Sequence, residues 1–383
     1  MDHHTGSATA PRKGGLLRTV RTFLANLGLT GITVVICLFV AEVALRIVDG
    51  VQIWPPVNLI AKDQALLTTQ TSNSYHPVLG WVLRPGIRGA PDDPDGSFTT
   101  GDHGVRMNST EVVPLPEGAI LTVGDSFTAG SEVGDRHSWP AQLERLLGKP
   151  VINAAAGGWA ADQIVLRGEE LTPIVKPRTV VVSFLADDVL RAGYRVYGSA
   201  NKPWFSLDSA GSLVHNNNPV PVFSGKADET DAPFVGYFYL PTWVMDRLGR
   251  GADWRRGYDS YIKNGNDPIA VSCKLVERAR DFYAARDIRL IFMLQYGGHA
   301  EFENTSQLQY GHPVVECARE LGIETIDTHP PLLDVRNQGL DALKKLYVMH
   351  GDNDLFGHMS AAGNALIAEL VAARLRASGA AQQ

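Results

Sequence analysis

One apolar run with an abrupt polar end constrains this chain more than any other stretch. Residues 118–130 read Gly-Ala-Ile-Leu-Thr-Val-Gly-Asp-Ser-Phe-Thr-Ala-Gly. Residues 119–123 are short, partly β-branched and bounded by glycine on both sides, which is the pattern of a buried strand. Gly124 permits a sharp turn, leaving Ser126 at the C-terminal edge of that strand, where open α/β sheets bind their ligands. A serine hydroxyl is a weak nucleophile until a base takes its proton. A candidate base stands near the other end of the chain, where Asp354 and His358 precede a helix-forming segment, 360–375.

From residue 118 onward, strand and helix candidates alternate. The strands are expected at 119–123, 150–153, 179–185, 288–294 and 323–327, the helices at 137–147, 160–170, 268–286, 312–321 and 360–375. Such alternation predicts a parallel sheet with helices on both faces, built from right-handed crossovers. The chain has 383 residues, 44% hydrophobic and 20% charged, enough for one large α/β domain with additions. Its net charge of −6 and lack of a long basic run argue against a nucleic-acid partner.

The N-terminus breaks the globular pattern. Residues 22–41 carry no charge and are mostly apolar, and twenty residues of helix span about 30 Å, the hydrocarbon thickness of a bilayer. Arg12, Lys13, Arg18 and Arg21 precede the run, while Arg46 is the only base in the twenty residues after it. The positive-inside rule then puts residues 1–21 in the cytoplasm, 22–48 across an inner (plasma) membrane and the rest in the periplasm or outside. A cleaved signal peptide is the rival reading, weakened by the length of the run and the lack of a convincing Ala-x-Ala site. Residues 49–74 read as a linker, and 75–117 as Gly/Pro-punctuated extended segments that pack on the main domain, 118–378.

Within that domain, residues 190–266 interrupt the strand–helix rhythm. They are rich in turn formers and aromatics: Trp204, Phe205, Tyr237, Phe238, Trp243, Trp254 and Tyr258. An insertion after a sheet strand is placed to form a lid or one wall of a cleft. Its aromatics are expected to make a small satellite core, the alternative being a platform for sugar rings. Residues 202–215 read as a hairpin with a glycine turn. Cys37 falls in the apolar run, and Cys273 and Cys317 are the other two cysteines. Two free buried thiols are the expected state of that pair, with a disulfide the alternative in an oxidising compartment.

Four blocks carry a family resemblance. Gly124-Asp125-Ser126-Phe127 resembles the first block of the GDSL or SGNH hydrolases, and His358-Met-Ser-Ala-Ala-Gly the last. Asn153-Ala-Ala-Ala-Gly-Gly158 and Phe184-Leu-Ala-Asp187-Asp188 resemble the two between, in the right order. Residues 76–86 and 104–108 resemble the lead-in of a membrane-anchored bacterial subset. The resemblance implies a three-layer flavodoxin-like fold with a parallel sheet, no cofactor, and acyl transfer through serine.

In that chemistry Ser126 attacks an ester carbonyl, His358 accepts its proton, and Asp354 orients the imidazole, with Asp352 as a substitute. The backbone N–H groups of Ser126 and Gly158 would meet the oxyanion, although Gly157 blurs the second assignment. Two departures stand out. The family's Asp often lies three residues before its His, whereas position 355 is Leu and Asp354 lies four before. The third block normally supplies an Asn that donates to the oxyanion, and Asp187 stands there instead. An ionised carboxylate has nothing to donate. Either Asp187 is held protonated by burial and by Asp188, or the hole runs on two backbone donors at a loss of about 3 kcal/mol, or activity is gone. The expected function is an exported esterase for acyl (first of all acetyl) esters, such as an acylated glycan of the envelope. The same residues fit an O-acyltransferase, and the third reading is an inert glycan-binding module. Oligomeric state does not follow from the sequence.

Overall fold

Central strands with Val/Ile/Leu/Phe runs cannot turn either face to water, so the five strands here form a sheet covered on both sides. In the computed structural model they are β1 (Ile120–Val123), β2 (Val151–Asn153), β3 (Thr179–Leu185), β4 (Arg289–Gln295) and β5 (Glu324–Asp327). The structure describes residues 14–56, 58–59, 72–93, 95–198, 200–221, 234–251, 254, 261–299, 302, 305–351 and 355–380. All neighbouring strands of this sheet run parallel, in the order β5-β4-β3-β1-β2. That is the flavodoxin-like doubly wound order expected from the sequence, and its switch point lies between β1 and β3. Leu121, Val123, Val180, Val181, Ile291 and Leu294 are wholly buried.

The helices pack in two groups. Trp139–Leu147 lies against Ala361–Ala380, while Pro268–Ala284 lies against both Ala161–Val175 and Ser306–Glu320. The Ser306–Glu320 helix begins six residues before the predicted start, because Pro313 inside it imitates a helix boundary. Packing overrides that signal. A Cβ at Gly311 would come within 2.7 Å of Leu294 and 3.1 Å of the Ala186 Cβ, so the helix sits on the sheet at a distance only glycine allows.

The two cysteines correct an expectation. Cys273 and Cys317 form a disulfide, with Cα atoms 5.7 Å apart, joining the two helices that carry them. Sequence distance could not show that two separate helices present these residues to each other.

By its contacts the chain divides into two units, residues 64–228 with 256–383, and residues 1–63 with 229–255. The 190–266 insertion is therefore shared between them. In the larger unit its first part is anchored by a buried ion pair, Lys202 Nζ to Asp162 Oδ2 at 2.5 Å. The hairpin expected at 202–215 forms from Trp204–Leu207 and Leu213–Asn216, with Phe205 fully buried against Pro268–Ala284. Residues 73–83 form a second hairpin. Its Trp81 donates its indole N–H to the Gly157 carbonyl, and Trp159 donates to the Trp81 carbonyl, both at 3.0 Å.

The smaller unit contains the helix Gly14–Val48. Its Arg21–Val48 portion, which holds an 18-residue stretch of mean hydropathy 2.3, is long and apolar enough to cross a membrane. Helix Tyr239–Arg247 packs on the C-terminal end of it. Tyr258 and residues 60–71 of the expected linker lie outside the described residues.

Candidate active site

The turn after β1 is built to hold a serine rigidly. Asp125 caps the short helix Ser126–Ala129, its Oδ1 accepting the Phe127 N–H at 2.9 Å. A Cβ at Gly124 would meet Thr128 Oγ1 at 2.2 Å and the Ser183 carbonyl at 2.9 Å, so only glycine lets the chain turn here. Gly130 ends the helix in the left-handed region with φ 74. Below the turn, Arg106 is buried. Its guanidinium donates to the carbonyls of Ala129, Gly130 and Val133, and pairs with Asp135 Oδ1 at 3.3 Å. Asn153, from the second block, donates to the Thr128 carbonyl at 3.1 Å. The lead-in residue Arg106 and the first two sequence blocks thus form one polar network under Ser126.

His358 arrives from a different kind of element. It sits on strand Leu355–Met359, antiparallel to Tyr347–His350 in a two-stranded hairpin outside the main sheet. Its Nε2 lies 2.9 Å from Ser126 Oγ across 232 residues of sequence. The hydroxyl also has Asp125 Oδ2 within 3.3 Å, but a hydroxyl has one proton to give. The Phe127 ring lies 5.1 Å from the imidazole.

The carboxylate beside the imidazole is Glu132, which the sequence reading missed. Its Oε2 lies 3.2 Å from His358 Nδ1, close enough for an ion pair although Nδ1 has no partner of hydrogen-bond geometry. The same oxygen accepts the His358 backbone N–H at 2.6 Å, and Oε1 faces His350 Nε2 at 2.6 Å. Burial pushes the Glu132 carboxyl up, but the His358 backbone N–H and the two imidazoles outweigh it and hold it below the ordinary carboxylate range. Asp354 and Asp352, the acids expected from spacing, lie outside the described residues. Glu132 had no motif to mark it. It is six residues from Ser126, past the end of a four-residue helix, and only the fold turns it toward a histidine from the far end of the chain.

The remaining predicted residues surround the serine. In the second block, Gly158 takes a left-handed φ of 75. A Cβ added to Gly157 would stand 3.9 Å from the Ser126 Cβ, whereas one on Gly158 would face Trp81 and Tyr197. Both glycines therefore belong to the rim. Asp187 occupies the first turn of helix Ala186–Arg191, directly after β3 on the far side of the switch point. Gln307 Nε2 lies 3.4 Å from its Oδ2.

Two carboxylates share one guanidinium here. Arg191 Nη1 donates to Asp188 Oδ1 at 2.6 Å, to Asp125 Oδ2 at 3.2 Å and to the Trp159 carbonyl at 3.1 Å, and its Nε to Tyr197 Oη at 3.1 Å. One side chain thus ties together the serine turn, the glycine loop and the helix carrying Asp187. Burial would push the guanidinium down, but Asp188 and Asp125 drive it above its ordinary value. Asp188 caps its helix by accepting the Leu185 N–H at 2.7 Å. Burial and the Asp125 charge push its carboxyl well up against the pull of Arg191. Asp187 is also pushed up, by burial first and by Asp125, with Arg191 and His299 opposing. The Asp188–Arg191 spacing was legible as an i,i+3 pair. Its link to Asp125 was not.

Fold and site together define a doubly wound α/β protein with a serine–histidine pair at the switch point of its sheet. No family model matches the chain, and no curated protein matches it. Solved structures with a similar arrangement include one titled as a lipolytic protein of the G-D-S-L family from Desulfitobacterium hafniense DCB-2, at 13% identity and a TM-score of 0.33, covering 67% of this chain and 99% of that one. TesA matches at 16% identity and a TM-score of 0.35, over 67% of this chain and 97% of that one. An acetylxylan esterase from Geobacillus stearothermophilus matches at 14% identity and a TM-score of 0.40, over 68% and 96%. Likenesses this distant leave the chemistry to be argued from the site itself.

Proposed function

We propose that this chain is a serine ester hydrolase that works through an acyl-serine intermediate. The observation carrying this reading is the 2.9 Å approach of His358 Nε2 to Ser126 Oγ at the sheet's switch point. A base within hydrogen-bond reach is what an otherwise unreactive hydroxyl requires. In this reading Ser126 attacks the ester carbonyl, and its proton passes to His358 Nε2. His358 then protonates the departing alcohol, and a water deprotonated by the same nitrogen releases the acid. Glu132 holds the imidazole by its backbone N–H and stabilises the imidazolium through Nδ1, the part assigned from spacing to Asp354. A small ring rotation brings Nδ1–H into line, as catalytic hydrogen bonds often align only with substrate bound. The backbone N–H groups of Ser126 and Gly158 receive the oxyanion, and Asp187 contributes when it carries its proton.

The apolar helix supports a single-pass anchor, with the chain beyond it exported. The substrate class carried over from the family resemblance is an acyl ester, an acetylated envelope glycan first among those to try. The test is release of acid from aryl esters of increasing acyl length and from acetylated glycans, comparing wild type with Ser126→Ala, alongside labelling by a fluorophosphonate. Ser126-dependent release and labelling are expected. Absence of both would sink the proposal, and turnover appearing only with a glycan acceptor would convert it to acyl transfer.

A further inference from the structure

The smaller unit presents apolar surface in a place that names its partner. Residues 22–41 are the uncharged part of the long helix, so Glu42 stands at the level where hydrocarbon gives way to headgroups. Glu42 pins a second element at that level. Its Oε1 accepts the Tyr239 N–H and its Oε2 the Leu240 N–H, both at 2.7 Å, capping helix Tyr239–Arg247. One turn on, Arg46 pairs with Glu42 at 2.6 Å and donates to the Tyr237 carbonyl at 2.7 Å and to the Gln52 carbonyl. Tyr239 Oη adds a bond to Asp49 at 2.8 Å. Residues 42–48 rise about 10 Å along the helix axis, comparable with the ~5–8 Å headgroup layer on each side of a bilayer.

The pinned segment exposes large apolar side chains, together with Asp246, Arg247 and Arg250 toward its C-terminal end. Phe234 is 75% exposed, Leu248 65%, Phe238 42% and Val244 39%. Trp54, at 82%, and Ile53 are exposed just after the long helix, next to Gln52, whose carbonyl shares Arg46 with that of Tyr237, and Ile47 and Val48 are exposed at the helix end. The polar members suit the same layer. Arg247 folds back over the Trp243 ring at 4.7 Å, and Arg250 follows the helix. Aromatic rings beside arginines characterise elements that lie in the membrane–water interface.

We propose that residues 234–250, with Ile53 and Trp54, form a second membrane contact, lying in the outer headgroup layer against the end of the spanning helix. The occupant of this face is lipid. The proposal rests on the reading of residues 22–48 as a membrane span, and the test separates the two. Full-length protein is reconstituted in liposomes and labelled with an environment-sensitive fluorophore at Cys37, or at Phe234→Cys or Leu248→Cys in a Cys37→Ala background. Ser209→Cys, on an exposed hairpin turn, serves as the water-facing control. Quenching is read with lipids spin-labelled near the headgroup or near the chain terminus.

Cys37 is expected to be quenched best by the deep label. Positions 234 and 248 are expected to respond best to the shallow one, about threefold or more above Ser209, as for side chains held at the headgroup boundary. Quenching at 234 and 248 no greater than at Ser209, with Cys37 still quenched, overturns the proposal and leaves the span standing. An unquenched Cys37 removes the span and the proposal with it. Blue-shifted but unquenched labels at 234 and 248 mean that protein, such as a second copy of the chain, covers the face, and this also overturns it.

Discussion

The serine and the histidine of this site are held by different means. Ser126 sits in a turn welded to the core, with its capping Asp125 paired to Arg191, its following carbonyls held by buried Arg106, and its glycine admitting no substitute. His358 rides on a two-stranded hairpin outside the main sheet, half-buried, and besides touching Ser126 and Phe127 it is held to the serine side by one carboxylate, Glu132. A nucleophile fixed by buried polar groups ties activity to global stability, since removing one partner leaves another uncompensated. A base on an edge hairpin can be displaced without unfolding anything. Substitutions on the two sides should therefore fail differently.

The largest effect is expected from Ser126→Ala or His358→Ala, each lowering kcat by about 10⁶ with the double variant no worse, since the pair acts as a unit. Steady-state kinetics with an aryl acetate, beside an unchanged melting temperature, checks this. Next, Arg106→Met should cost about 3–5 kcal/mol of stability by stranding Asp135 and three carbonyls, read from denaturant unfolding. A melting curve like wild type would break the claim that the serine turn depends on this network. Reducing the Cys273–Cys317 bond, or Cys273→Ser, should cost about 2–4 kcal/mol for a loop of this length, with thermal unfolding in and out of reductant as the readout.

On the histidine side, Glu132→Gln should lower kcat about 10²-fold, with stability nearly unchanged, because the imidazole loses its orienting charge. Asp354→Asn should change kcat only slightly, and the reverse ranking would return the acid's role to Asp354. Glu132 titrates below the ordinary carboxylate range, so its contribution to the fold is present above that range and lost as the pH falls through its lowered value. The smallest effect concerns Asp187. Burial raises its carboxyl, so the stability tied to its proton is present at low pH and disappears as the pH rises through the raised value. Asp187→Asn should remove that loss and raise turnover about tenfold at neutral pH by supplying a permanent donor. A pH–rate profile of the two proteins decides it. No gain at any pH would mean that Asp187 does not limit the oxyanion hole.

Local chemistry explains what was readable. Strands β1 to β5 lie within a residue or so of their expected bounds, and for β1 to β4 the reason is that a strand buried on both faces announces itself by a short apolar run. Ser126, His358 and Gly158 were marked by their blocks, the glycine also because it lets the backbone approach closely. Glu132 was invisible because carboxylates on loops are common, and nothing nearby distinguishes this one.

By itself the sequence determined a parallel sheet covered by helices, the serine at the C-terminal edge of one of its strands and an N-terminal helix long enough to cross a bilayer. These follow from periodicity, glycine placement and hydrophobic length, all of which act over a few residues. The tertiary structure alone decided that Cys273 meets Cys317, that Arg191 joins three segments of the site, and that Glu132 rather than a described neighbour of His358 faces its Nδ1. Such pairings depend on where separate crossovers end in space, a quantity that no stretch of the chain encodes alone.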